Sequence, residues 1–332
     1  MTQAKKKAGP VSVWRERDQM EGRLVDAGVI ILRTTGCRHF REGGCTMCGY
    51  NLESSSRVDS SDLIKQFDGA LSALKDVRML KVYTSGSFLD ECEVPQEAFD
   101  HILGACSERG SKLLFESRPE FVTDERIKRT LSKHDDLEVA LGLESSNDLV
   151  LRHSINKGFE RTDYDLASSV LRENRVPIRT YVLLKPPFLT ECEAIADSVA
   201  TIKYASQVSE TVSLNPVNVQ KGTLVEKMWR NWSYRPPWLW SVLEVLKISA
   251  GSTRRLVCEP TGGGRERGAH NCGRCDEVIL GSIKSFSESQ DPSRLGWPEC
   301  SCREVWSGAK EIEGYAMGGP SDLQKLTRRA RA

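Results

Sequence analysis

No stretch of this 332-residue chain is apolar for the ~20 residues that a bilayer core requires, so no membrane span is expected. The first residues, MTQAKKKAGPVSVW, carry charge but lack the apolar segment of a secretory leader. Net charge is missing too, because 47 Lys and Arg face 46 Asp and Glu and leave a formal +1. That balance excludes a global electrostatic drive toward nucleic acid. No repeat of fixed period stands out beyond an alternation of strand-like and helix-like segments. These absences describe a soluble globular protein of the reducing cytoplasm. Its eleven cysteines therefore read as metal ligands or buried small hydrophobes rather than as a disulfide framework.

What is present is patterned. Six segments rich in Val, Ile, Leu and Tyr predict strands at 28–36, 80–88, 112–118, 137–145, 177–185 and 211–219. Helical spacing fills the gaps, as with Ile64, Phe67, Leu71 and Leu74, or Cys192, Ile195, Val199 and Ile202. Strand alternating with helix six times implies a parallel α/β sheet, a partial (β/α)6 TIM-like barrel rather than the full eight units. In such folds the chemistry lies at the C-terminal ends of the strands. The unusual residues fall there: Cys37 after the first strand, then TSGS, ESRPE, GLESS and LKPP. After about residue 225 the texture changes to prolines, tryptophans, glycines and further cysteines. The expected division is an N-terminal extension (1–24), the barrel (25–225), a small Cys-rich zinc-binding module (226–320) and a basic tail (321–332). Basic runs near the start, at 253–268 and at the end read as solvated segments.

The cysteines sort by context. Cys106 and Cys192 fall on apolar helical stripes and are expected in the core, while the loop residue Cys92 is undetermined. Cys37, Cys45 and Cys48 form a C-x7-C-x2-C set flanked by glycines at a strand end. Three thiolates match three irons of a [4Fe–4S] cluster and leave the fourth iron open. The alternative is a zinc site completed by His39. Near the C-terminus, Cys272 and Cys275 (CxxC) are answered by Cys300 and Cys302 (CxC), enough for a four-cysteine zinc site. His270 in place of one cysteine, or a second iron–sulfur cluster, are the other readings.

With these residues in view the chain resembles the radical S-adenosylmethionine (SAM) superfamily, in which three cysteines after the first barrel strand hold the cluster and SAM takes the open iron. The first gap is longer than the usual C-x3-C-x2-C, as in the branch related to the Elongator catalytic subunit. Met47 stands where many members place an aromatic residue against adenine. Ser85, Gly86 and Ser87 match the Gly-rich loop that binds the SAM amino group. Glu116, Arg118 and Glu144 match segments that touch ribose, carboxylate or substrate. Most of the chain, through TTGCRHF, YTSGSF, ESRPEFV, YVLLKPPFLTE, SLNPVNVQKGT, YRPPWLWS and RGAHNCGRCD, is similar to one archaeal branch, the radical SAM subunits of archaeosine synthase known as RaSEA.

That resemblance implies a tRNA-modifying lyase acting with the transferase subunit ArcS and a reducing electron donor. ArcS joins lysine to a 7-cyano-7-deazaguanine in the tRNA D-arm. Radical cleavage of the C–N bond then removes the lysine skeleton and leaves archaeosine. Arg118 or Lys185 would meet the lysine carboxylate, and Glu144 or Glu116 its ammonium. The near-neutral charge implies that ArcS supplies much of the tRNA grip, with a basic strip of Arg254, Arg255, Arg265 and Arg267 adding to it. The other readings are a methylthiotransferase-like radical SAM enzyme and a non-catalytic zinc protein that binds RNA or a partner. An extra cluster and an appended RNA-binding domain, the marks of the first, are not evident.

Overall fold

The computed structural model describes residues 9–316. They fall into two compact units that interleave along the chain. The first takes in 9–43, Tyr50–Gly142 and Thr162–Arg179, and the second Gly44–Gly49, Leu143–Arg161 and 180–316.

The first unit opens with a hairpin of β1 (Ser12–Met20) and β2 (Arg23–Ile31), paired antiparallel with Met20 opposite Arg23. Glu21 and Gly22 both have positive φ, as a tight two-residue hairpin turn requires. Parallel strands β3 (Met79–Tyr83), β4 (Lys112–Ser117) and β5 (Leu137–Glu144) follow beside β2. The start of β6 (Ile178–Leu184) joins through a bond from the Val139 N–H to the Pro177 carbonyl, 3.0 Å.

Helices link these strands. After the single turn α1 (Arg38–Arg41) come α2 (Ser60–Ala73), α3 (Gln96–Arg109), α4 (Asp124–Lys133) and α5 (Arg161–Glu173). Asp59 and Asp62 close a capping box at the start of α2. The buried face of α2 is Leu63, Gln66, Phe67 and Ala70. Ile64 and Leu71 are half-exposed, so the apolar stripe read from the sequence is rotated by about one residue. Phe88 packs between Phe99 and Phe115, with centroids 5.3 and 4.8 Å away.

The second unit holds the end of β6 together with β7 and β8. Val217 N–H bonds the Leu184 carbonyl at 3.1 Å, and β7 (Thr211–Pro216) pairs parallel with β8 (Arg255–Cys258). The helices here are α6 (Glu191–Ala205), α7 (Leu224–Arg230), α8 (Leu239–Ser249), α9 (Asp276–Ser289) and α10 (Cys302–Ala316). Trp297 stacks on Trp240 with centroids 5.7 Å apart and lies tilted against Trp306 at 5.9 Å.

Three expectations change. β1 and β8 join the six strands read from the sequence, and β2 runs over 23–31 rather than 28–36, the TTG segment forming the loop beyond it. Four of the nine residues of β1 are charged, so periodicity hides it. Cys106 is fully buried as expected. Cys192 is exposed, because the buried side of α6 is Ala194, Ile195, Ser198, Thr201 and Ile202, to which the thiol contributes nothing. The expected basic tail lies outside the described residues.

Candidate functional site

In the first unit, the strand-end loops are organised around a glutamate that the sequence did not single out. Glu93 is 1% exposed. Its carboxylate accepts the Thr34 hydroxyl at 2.6 Å and the backbone N–H groups of Ser85, Gly86 and Ser87 at 2.8, 3.0 and 2.6 Å. Burial pushes its pKa up, against the pull of those bonds. The TSGS loop is thus held by its amides.

The loop also touches a thiol. A β-carbon on Gly86 would lie 2.7 Å from Cys37 Cβ and 2.8 Å from Cys37 Cα, so only glycine admits this approach. Cys37 itself is fixed by its N–H to Asn51 Oδ1 at 3.0 Å. Gly36 just before it has φ +96, and a β-carbon there would meet the same Asn51 oxygen at 2.2 Å. His39, the alternative zinc ligand, lies in α1.

Beside this loop, Ser87 Oγ and Ser117 Oγ share a bond at 2.8 Å, and the Phe88 N–H donates to the Glu116 carbonyl at 2.9 Å. Arg118 is nearly buried and donates from Nε to Glu120 at 2.5 Å. Ser85, Gly86, Ser87, Glu116 and Arg118 therefore share one end of the sheet, where β3 and β4 finish.

In the second unit, Cys45 and Cys48 bracket one turn, closed by Cys48 N–H to the Cys45 carbonyl at 3.2 Å. Both thiols are half-exposed. A π-helix, Val150–Ile155, braces this turn. Thr46 donates from its N–H to the Ile155 carbonyl at 2.9 Å and from its hydroxyl to the Ser154 carbonyl at 2.8 Å. Asn156 donates from Nδ2 to the Gly44 carbonyl at 2.7 Å, and Gln220 Oε1 receives the Gly49 N–H at 2.5 Å. Short π segments recur at functional sites.

Two expected site residues in this unit end strands with left-handed backbone, Glu144 at φ 69 and Lys185 at φ 62. Such strain in non-glycine residues gathers at functional positions. Glu144 accepts Lys157 Nζ at 2.8 Å. Lys185 is buried, and its ammonium is engaged by Glu191 and, at 3.6 Å, by Glu313. Glu191 is itself held by the Trp238 N–H (2.9 Å) and the Ser241 hydroxyl (2.5 Å).

The C-terminal cysteines come together as a group that could hold a metal ion. The sulfurs of Cys272, Cys275, Cys300 and Cys302 all lie within 4.8 Å of one another, with Cys272–Cys300 and Cys275–Cys302 each at 3.6 Å. Asp276, at the start of α9, receives the N–H groups of Asn271 and Gly273, both at 3.0 Å, and so folds the CxxC loop. Asn271 Nδ2 and Trp240 Nε1 donate to Cys275 and Cys302 sulfur at 3.4 and 3.3 Å. The Arg274 N–H draws the Cys272 thiol down to about 6, and burial drives Cys302 up. His270 stands outside this sulfur group, its Nδ1 at 2.8 Å from the Gly268 carbonyl.

The expected basic strip is partly self-neutralised. Arg254 pairs with Glu210 and Arg267 with Glu226, each at 2.5 Å. Glu93, Asn51, Asn156 and Gln220 were missed in the sequence. Their types are common, and only distant contacts give them a role.

No family model matches the chain. It is 40% identical to the archaeosine synthase subunit beta of Methanosarcina acetivorans, over 94% of this chain and 92% of that protein. It is 35% identical to the archaeosine synthase subunit beta of Thermococcus kodakarensis, over 89% of this chain and 95% of that one. Among solved structures, the archaeal Elp3 of Methanocaldococcus infernus aligns with a TM-score of 0.49 and 14% identity, over 68% of this chain and 58% of that one. On near-full-length identity at this level, the chain belongs to the archaeosine synthase subunit beta family.

Proposed function

We propose that this chain is the radical SAM component of archaeosine synthesis. The observation that carries the reading is its 40% identity to an archaeosine synthase subunit over nearly the whole chain. The donor set agrees with it: Cys37, Cys45 and Cys48 are half-exposed thiols in braced loops, unlike the buried thiol of Cys106. These three would hold the [4Fe–4S] cluster, which with SAM supplies one-electron cleavage and hydrogen-atom abstraction.

The chain's own residues then bind and orient. Glu93 grips the amides of Ser85, Gly86 and Ser87 and fixes a narrow loop beside Cys37, suited to the SAM amino group. Glu116 and Glu144 would meet the ribose of SAM or the ammonium of the lysine moiety, and Arg118 its carboxylate. Lys185, matched by Glu191, braces the end of β6.

The substrate in this reading is tRNA bearing the lysine adduct of 7-cyano-7-deazaguanine. The transferase subunit ArcS is the partner that makes the adduct, and a separate reductant feeds the cluster. Cys272, Cys275, Cys300 and Cys302 would hold zinc. A tetrahedral Zn–S bond of ~2.3 Å separates sulfurs by roughly 3.8 Å, which the 3.6 Å pairs support. The barrel and the Cys-rich module divide at about residue 225, and the protein works in the cytoplasm.

Anaerobic purification followed by iron, sulfide and zinc analysis tests this directly. About four irons and one zinc per chain, with iron alone lost from Cys37→Ala/Cys45→Ala/Cys48→Ala, is the expected result. Release of the lysine skeleton from adduct-bearing tRNA is then assayed. Two zincs without iron after reconstitution would refute the reading.

A further inference from the structure

Trp232 is 96% exposed, the most exposed large apolar side chain among the described residues. It does not hang from a loose loop. Its N–H bonds the Trp229 carbonyl at 3.1 Å, and the next residue, Ser233, sends its N–H to the Met228 carbonyl at 2.9 Å. These are the two bonds of the Schellman motif that ends α7, and they put Trp232 at the position where glycine is usual. Its φ is 61, a conformation that a bulky L-residue adopts at a cost. An indole that packs on nothing, kept at a strained position where glycine would be easier, points to a use outside the fold.

The surrounding charge says what that use is. Lys221, Lys227 and Arg230 are exposed. Between residues 217 and 235 the acidic side chain is Glu226 alone. Its carboxylate is consumed by Arg267 at 2.5 Å, Arg230 at 3.1 Å and the Gly222 N–H at 2.8 Å. Arg267 also lies over the Trp229 ring at 4.7 Å. At 1.5 Å of rise per residue, Lys227, Arg230 and Trp232 fall within about 8 Å of one another along the axis of α7. An exposed indole in a segment whose exposed charges are cationic fits a polyanion that carries unstacked aromatic rings. Proteins take up unpaired nucleotides in this way, with stacking for the base and ammonium or guanidinium for the phosphates.

We infer that Trp232, with Lys221, Lys227 and Arg230, is a docking point for an unpaired base of the RNA substrate. The inference rests on the proposed action on tRNA, and it adds a contact region distinct from the arginine strip expected in the sequence. The indole stacks on the base, and the two lysines and Arg230 neutralise adjoining phosphates.

The test uses the full-length protein, wild type and Trp232→Gly, Trp232→Phe and Lys221→Ala/Lys227→Ala. Affinity for a tRNA transcript is measured by filter binding over a salt series, with and without the partner subunit. Glycine suits the αL position, so Trp232→Gly should keep its melting temperature or gain roughly 2–4 °C. Its RNA affinity should nevertheless fall about 5- to 150-fold, the range for one lost base stack. Trp232→Phe should recover most of that loss. The lysine pair should flatten the dependence of log K on log salt by roughly 0.7 for each lost phosphate contact. Wild-type affinity in Trp232→Gly would overturn the inference and leave the enzymatic reading standing. Unchanged RNA binding with loss of the partner subunit would overturn it in favour of a protein contact. Failure of the wild type to bind tRNA, alone or with the partner, would overturn the tRNA reading and this inference with it.

Discussion

Gly86 lies directly against Cys37, with room for hydrogen but not for a β-carbon, which would stand 2.7 Å from the cysteine's own Cβ. Since the Cys37 Cα is as close, at 2.8 Å, an added methyl displaces backbone rather than a flexible tip. Gly86→Ala should therefore shift the Cys37 thiol and cost about 1–3 kcal/mol, the usual penalty for overpacking. The expected outcome is a folded protein by circular dichroism that retains the C-terminal metal but loses most of its iron after anaerobic reconstitution. Full iron content in Gly86→Ala would count against Cys37 as a cluster ligand.

Glu93 gathers one hydroxyl and three backbone donors on a single buried carboxylate. A glutamine there keeps one acceptor oxygen and turns an amide donor toward other donors. Glu93→Gln should lower unfolding stability by roughly 2–3 kcal/mol, the scale of hydrogen bonds to a charged group. It should also weaken SAM binding measured by calorimetry on the reconstituted protein. An unchanged urea midpoint would show that the loop does not depend on this carboxylate.

Asp18, on β1, is 2% exposed and pairs with Lys81 and, at 3.0 Å, with Arg179. Arg179 also bonds Glu138 at 2.8 Å, tying β1, β3, β5 and β6 together in the first unit. Burial pushes Glu138 up, but Arg179 and Lys112 outweigh it and hold the carboxyl below its usual value. Removing one partner of a buried ion pair leaves an uncompensated charge. Asp18→Ala should cost about 3–5 kcal/mol in chemical denaturation. A change below about 1 kcal/mol would place this network among weak surface pairs.

Asn271 donates to the Cys275 sulfur at 3.4 Å and closes the CxxC loop through its own N–H to Asp276. Partners of this kind orient and tune metal ligands. Asn271→Ala should weaken metal retention about 10- to 100-fold in chelator competition, with the metal per chain unchanged when it is in excess. Retention equal to wild type would show that the four sulfurs alone set the affinity.

Asp197 is raised to about 6 by burial, which outweighs the bond it accepts from Ser145 at 2.8 Å. The folded protein therefore binds this proton more tightly than the unfolded chain does. Its contribution to stability is fully present below about pH 4 and fades as pH rises through about 6. At about 1.4 kcal/mol per unit the loss approaches ~3 kcal/mol. Asp197→Asn should remove this step, so the stability difference between variant and wild type should grow in the variant's favour from pH 4 to pH 7. A constant difference across that range would show that Asp197 titrates as it does unfolded.

The sequence alone was enough for the βα alternation, because a strand buried on both faces must be written as a short apolar run. It was also enough for the C-terminal cysteine group, since thiolate ligands need close spacing along the chain. Charged β1 escaped it, because its polar residues are neutralised by Lys81 and Arg179, far away in the chain. So did Glu93, whose role is its position eight residues beyond Ser85 and fifty-nine beyond Thr34. Cys192 was read as core because spacing shows that a helix has an apolar face, but not which side the sheet covers. The engagement of Lys185 by Glu191, and the exposure of Trp232 at the end of α7, were decided in the same way by tertiary contacts. Local pattern is enough to assign an element and its ligand types, but burial and pairing depend on residues that meet only when the chain has folded.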